Sequence, residues 1–144
     1  MKKLLLVSAL AAFTAGCASV PMGDPQQDAE MKRFGASPDM SRIYIYRNEN
    51  FGGGIKMTIN VDGRLVGATS ANTYLVTDVA PGRHTIGSDA ENFTMLKVDA
   101  APGKNIFVWQ EVKMGFGTAR SQLHQVSEAE GRRGVSETNL AASM

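Results

Sequence analysis

From residue 41 onward, hydrophobic and polar positions fall into short runs whose period is close to two. Ile55, Met57, Ile59 and Val61 alternate with Lys56, Thr58 and Asn60, the pattern of a strand with one face in a core and the other in water. Residues 42–47, Arg-Ile-Tyr-Ile-Tyr-Arg, are β-branched or aromatic between two arginines and also read as a strand. Asp62-Gly63 then separates residues 55–61 from residues 64–67. That dipeptide is a strong hairpin signal, because a primed turn needs positive φ at its central residues. Similar runs follow at 73–79, 83–87, 93–98, 106–112 and 120–126. They are divided by turn residues at Ala80-Pro81-Gly82, Ser88-Asp89, Ala101-Pro102-Gly103 and Gly115-Phe116-Gly117. Seven to eight short strands with no helix between them predict an all-β fold, an antiparallel β-sandwich over residues 41–133, with a small barrel as the alternative. Ser127 to Gly131 predicts a short N-capped helical turn ended by glycine, and residues 134–144 are expected to form a flexible tail.

The first 40 residues obey a different pattern. Met1-Lys2-Lys3 is followed by an apolar run from Leu4 to Phe13 and then by Thr14-Ala15-Gly16-Cys17. A run of ten residues covers about half of a ~30 Å hydrocarbon core, so the segment reads as a secretory signal and not as a membrane span. Ala15-Gly16 directly before Cys17 resembles the lipobox of bacterial lipoproteins, in which the cysteine thiol is acylated and cleavage leaves that cysteine at the N-terminus. Cys17 is the only cysteine in the sequence, and at the end of a signal peptide it is better explained by lipidation than by disulfide or redox chemistry. The reading is therefore a signal peptide over 1–16, a lipidated Cys17 and a linker over 17–40 that lets the domain stand off the membrane. Prolines at 21, 25 and 38 interrupt the linker, and a short helix between 26 and 34 is expected to begin at Asp24-Pro25. Ala18 follows the cysteine where an aspartate would imply retention in the inner membrane, so resemblance points to the outer membrane with the domain facing the periplasm.

Charge narrows the partners. Fifteen basic residues stand against fourteen acidic ones, and two of the basic residues, Lys2 and Lys3, lie in the removable segment. The rest is close to neutral and carries no basic block, so it lacks the phosphate-neutralising footprint that nucleic-acid binding requires.

Reactive groups are sparse. His84 and His124 are the only histidines, and a metal site or a small enzyme centre would have to combine them with carboxylates such as Asp78, Asp89 or Glu111. No Gly-x-Ser-x-Gly string is present, and Gly52-Gly53-Gly54 is followed by a strand instead of a phosphate-binding helix. Neither a cofactor nor a metal is expected. Tyr44 with Tyr46, and Phe107 with Trp109, sit two apart on their strands. Each pair therefore faces one way, either lining a groove for peptide or glycan or filling the sandwich core. With Arg47 these residues form the candidate binding surface, Arg47 and Trp109 being the residue types that most often anchor interfaces.

Several of these segments together resemble a known family. Ile43 to Arg47, Val61-Asp62-Gly63 with Val66-Gly67, Tyr74, Val79 to His84, and Leu123 to Gly131 are similar to the bacterial lipoprotein family called domain of unknown function 2846. The Val-Asp-Gly hairpin and the Pro-Gly-Arg-His turn also resemble the small sandwich modules named for their Pro-Glu-Gly-Ala motif. The resemblance implies a lipid-anchored envelope β-domain and supplies no catalytic residues. The expected function is a non-enzymatic module that binds an envelope protein or a cell-wall component. The alternative is a small periplasmic enzyme or metal binder built on His84 and His124. An exposed apolar patch favours the first, and histidines gathered with carboxylates in a cleft favour the second.

Overall fold

The computed structural model describes residues 20–50 and 55–144, so the signal segment, Cys17 and the Gly52–Gly54 stretch lie outside the described residues. Helix α1 (Pro25–Met31) comes first, followed by strands β1 (Ser41–Arg47), β2 (Met57–Val61), β3 (Arg64–Thr69), β4 (Thr73–Val79), β5 (Gly82–Asp89), β6 (Phe93–Ala100), β7 (Asn105–Met114) and β8 (Ala119–Val126). Helix α2 (Glu128–Ser136) and the two-residue strand β9 (Asn139–Leu140) complete the chain. The strands form two sheets, ordered β8-β7-β1-β4-β9 and β3-β2-β5-β6. Ile43, Ile45, Leu75 and Val108 from the first sheet meet Ile59, Val66, Ile86 and Val98 from the second to make the sandwich core. No helix among the described residues is long and apolar enough to cross a membrane.

The sandwich and its strand boundaries follow the periodicity, but the sandwich is not purely antiparallel. β1 pairs antiparallel with β4 and parallel with β7, and β4 pairs parallel with β9. Period two reports which face of a strand is buried and carries no information about its neighbour's direction. A parallel neighbour requires a long crossover, here five intervening strands. β1 has apolar side chains on both faces because both are covered, as befits the central strand of a mixed sheet. The Asp62-Gly63 turn is as predicted, with φ of 52° and 78°.

The two ends of the chain depart further from expectation. α1 is capped by the Asp24 carboxylate, which accepts from the Gln26 and Gln27 amides at 2.6 and 3.4 Å, with a proline in the first turn. The segment does not stand off, however. The Tyr74 hydroxyl donates to Asp28 Oδ1 at 2.6 Å, and the Tyr44 hydroxyl donates to the Met31 carbonyl at 2.8 Å, fastening α1 to the first sheet. Upstream, the Ala142 amide donates to the Pro21 carbonyl and the Gly23 amide to the Leu140 carbonyl, each at 2.8 Å.

The expected tail is likewise tied down. The Ala141 amide reaches the Tyr74 carbonyl at 2.9 Å and the Met144 amide reaches the Val66 carbonyl at 2.8 Å, while Leu140 and Ala141 are buried. The open edge between β3 and β4 needs backbone partners, and these segments supply them in pieces too short to carry a periodic signal. α2 also runs beyond Gly131. A Cβ on Gly131 would lie 2.1 Å from the Phe107 ring and one on Gly134 would lie 2.2 Å from the Tyr46 ring, so these glycines mark a contact face and do not end the helix.

Candidate functional site

The predicted aromatic surface is mostly interior. Tyr44, Tyr46 and Phe107 lie together on the outer face of the five-stranded sheet, as their spacing requires, but α1 and α2 cover that face and leave them at most 2% exposed. Tyr44 stacks on Phe107 with centroids 5.1 Å apart, and Phe34 from the segment after α1 closes over both. Burial pushes the Tyr46 hydroxyl up to about 12 and raises Tyr44 and Tyr74 as well, the last also because its hydroxyl donates to Asp28. Arg47 is buried at the end of the inner face, with Nε donating to Glu49 at 2.6 Å and Nη1 to the Ile55 carbonyl at 2.7 Å. Four of the five candidate residues are thus packing residues. The spacing placed them correctly on shared faces, but a helix with mean hydropathy too low to read as apolar conceals one of those faces.

Trp109 is half-buried at the margin of α2. Its ring stacks on His124 at 5.1 Å, and His124 Nε2 lies 2.7 Å from Glu111 Oε2. Beside it, Tyr46, Asn48, Trp109, Arg133 and Glu137 line a small cavity of about 160 Å³. The Trp109 indole N–H is buried and has no hydrogen-bond partner among the described residues.

The histidines are not assembled. His84 stands on β5 in the four-stranded sheet and His124 on β8 in the other, each with one carboxylate. His84 Nδ1 lies 2.6 Å from Asp62 Oδ2 and Nε2 lies 2.6 Å from the Ala80 carbonyl. Both partners are acceptors, so both ring nitrogens donate in the imidazolium form. The Asp62 bond raises His84, and the same bond lowers Asp62. Asp78 is taken by Arg42 Nε at 2.7 Å, while Asp89 lies on a rim with Ile55, Lys56 and Glu91. No group of three His, Cys, Asp or Glu side chains suited to a metal occurs among the described residues.

Sequence reasoning overlooked a different surface. Phe93 is 57% exposed, Met95 64%, Met114 75% and Phe116 100%. Phe93 and Met95 stand on the outer face of β6, an edge strand, and Met114 and Phe116 stand at the tip of the β7–β8 hairpin. One carboxylate joins the two places. Glu91 accepts from the amides of Phe116, Gly117 and Thr118 at 2.9, 3.0 and 2.9 Å, an arrangement that holds it down at about 2. Asn92 reinforces the join by a reciprocal pair of 2.9 Å bonds with the Ser121 backbone. Inside the sandwich, a buried polar chain runs from Thr69 Oγ1 to Gln110 at 2.6 Å, from Gln110 to Ser88 at 2.8 Å and from Ser88 to Ser121 at 2.7 Å, linking the two sheets. The available sequence signal was the pair Phe93 and Met95 in phase on one strand face, together with the Gly-Phe-Gly turn. Neither shows which face is outward.

Compared with known proteins, residues 37–122 match the family described as "Protein of unknown function (DUF2846)". An uncharacterized protein of Haemophilus influenzae is 31% identical over 137 residues, covering 93% of this chain and 81% of the relative. No solved structure matches.

Proposed function

Starting from a chain that belongs to the DUF2846 family, a family of unknown function, we propose that this protein is a lipid-anchored envelope lipoprotein whose β-sandwich is a non-enzymatic binding module for another envelope protein. The carrying observation is the exposed cluster of Phe93, Met95, Met114 and Phe116, held in shape by Glu91. A fully exposed phenylalanine on a loop with satisfied amides keeps its apolar surface in water until something covers it, and large apolar side chains on a rigid frame are the usual anchors of protein interfaces. The cluster lies along the edge strand β6 and at the tip of the β7–β8 hairpin. The N-terminal segment joins the fold at the opposite edge, against β9. An anchor at Cys17 then leaves the cluster directed away from the bilayer and toward proteins. Among the described residues the edge strand β6 has a strand partner only in β5, which leaves its other side for an extended segment to dock on.

The test is site-specific photocrosslinking in the envelope with the crosslinker at Phe116. A discrete protein adduct supports the reading. Adducts equal to those from Gln122, on the helix-bearing face, would overturn it. The anchor is tested separately: acylated Cys17 gives a mature chain lacking residues 1–16, and Cys17→Ser leaves an uncleaved precursor.

A further inference from the structure

The edge where the N-terminal segment joins the sandwich has an unusual constraint. Val20 is 4% exposed and belongs to the core cluster with Val66 and Ala141. Immediately after it, Pro21 and Met22 are bonded to Ala142 and bridged to Ala141. Cys17 stands only three residues before Val20. Three residues reach at most ~10 Å even when fully extended. A lipid on Cys17 therefore holds this edge within ~10 Å of the acylated residue, whatever path residues 17–19 take.

The edge is also dressed for such a position. Met22 is 51% exposed, Leu65 45% and Met144 73%. The three follow one another across the surface, because the tail that pairs with Met22 at Ala141 continues to Met144, whose amide bonds to Val66 beside Leu65. Arg64, next to Leu65, is exposed too and brings a long stem with a cationic end. Apolar side chains at the interface with a basic residue beside them are the composition that lies in the headgroup region of a bilayer.

We infer that this edge, with Leu65, Met144 and Met22 as its contacts, rests on the phospholipid surface, so that the domain lies down on the membrane with the Phe116 tip turned away. The inference depends on the proposed acylation of Cys17. Lipid anchorage alone would permit any orientation if the domain began near residue 41. The buried Val20 removes that freedom.

The acylated protein, reconstituted in vesicles of phosphatidylethanolamine and phosphatidylglycerol carrying a nitroxide-labelled lipid, provides the test. The Cys17 thiol is consumed by the lipid, so a single introduced cysteine can carry an environment-sensitive fluorophore at Leu65→Cys, Met144→Cys or, as reference, Phe116→Cys. The labels at 65 and 144 should shift to the blue and lose most of their emission to the nitroxide, while the label at 116 should keep nearly all of its emission. Intact mass reports acylation independently. Acylated, vesicle-bound protein with equal emission at all three sites would overturn the orientation and leave the anchor standing. Protein that is exported and folded yet carries no lipid would overturn both.

Discussion

The two outer faces of this sandwich are built from similar residues and have opposite fates. On the five-stranded sheet, Tyr44, Tyr46, Tyr74 and Phe107 lie beneath α1 and α2 and are almost completely buried. On the other sheet and the adjoining hairpin tip, Phe93, Met95, Met114 and Phe116 have nothing over them among the described residues. What separates the faces is a set of small residues and hydroxyl groups. Gly131 and Gly134 let α2 approach two rings closely, and Tyr44 and Tyr74 hold α1 by their hydroxyls. The exposed face has a carboxylate clamp that fixes its shape without covering it. An aromatic residue in a strand thus has no fixed role, and the layer beyond the sheet decides whether it packs or binds.

The difference is sharpest at the glycines. Gly134→Val forces a Cβ toward the Tyr46 ring and should destabilise the protein by about 2 to 3 kcal/mol in urea unfolding, the ordinary cost of overpacking. Gly117→Ala, at the tip, meets nothing within 4 Å and should stay within about 0.5 kcal/mol of the parent. Equal losses would mean that α2 is not packed as described.

A smaller effect is expected at Tyr74. Replacement by Phe removes the hydroxyl that donates to Asp28 and should cost about 1 kcal/mol, with faster amide exchange in α1. Unchanged exchange there would detach α1 from the account.

On the exposed side, Phe116→Ser should leave stability within about 0.5 kcal/mol while abolishing the adduct formed from a photocrosslinker at Phe93. If the variant unfolds more readily, the tip is packing and not presenting.

The smallest effects are electrostatic. The Glu91 clamp is fully present above the ordinary glutamate pKa and is lost as pH falls through about 2. Glu91→Gln should therefore speed amide exchange at Phe116, Gly117 and Thr118 at neutral pH. The His84 and Asp62 pair behaves differently. The raised His84 contributes stability below the unfolded histidine pKa and loses it as pH rises through the raised value. The lowered Asp62 contributes above its unfolded pKa and loses it as pH falls through the lowered value, so the pair is strongest in the mildly acidic window between. Asp62→Asn should bring the His84 titration, followed by NMR, down toward the ordinary ~6.5.

The sandwich was legible because burial of one strand face imposes period two, and the Asp62-Gly63 hairpin because positive φ demands particular residues. The parallel pairing of β1 with β7 was not legible, since no residue pattern encodes a neighbour's direction over so long a crossover. The docking of residues 20–23 and 139–144 was hidden by their shortness. The choice between groove and core for Tyr44, Tyr46 and Phe107 was hidden for a related reason: their spacing gave a true face, but α2, with glycines at its contact positions and charges elsewhere, looks like a solvated turn until its partner is seen. Phe116 lay in a turn, where periodicity is silent.

The proposed binding surface is the bare edge and not the helix-covered face. Its most direct test is the crosslinking yield, in intact cells, from photoreactive residues at Phe93, Met95 and Phe116 against Gln122 and Glu137. One common adduct is expected from the first three and none from the other two. The same adduct from Glu137, beside the Trp109 cavity, with none from Phe116, would contradict it.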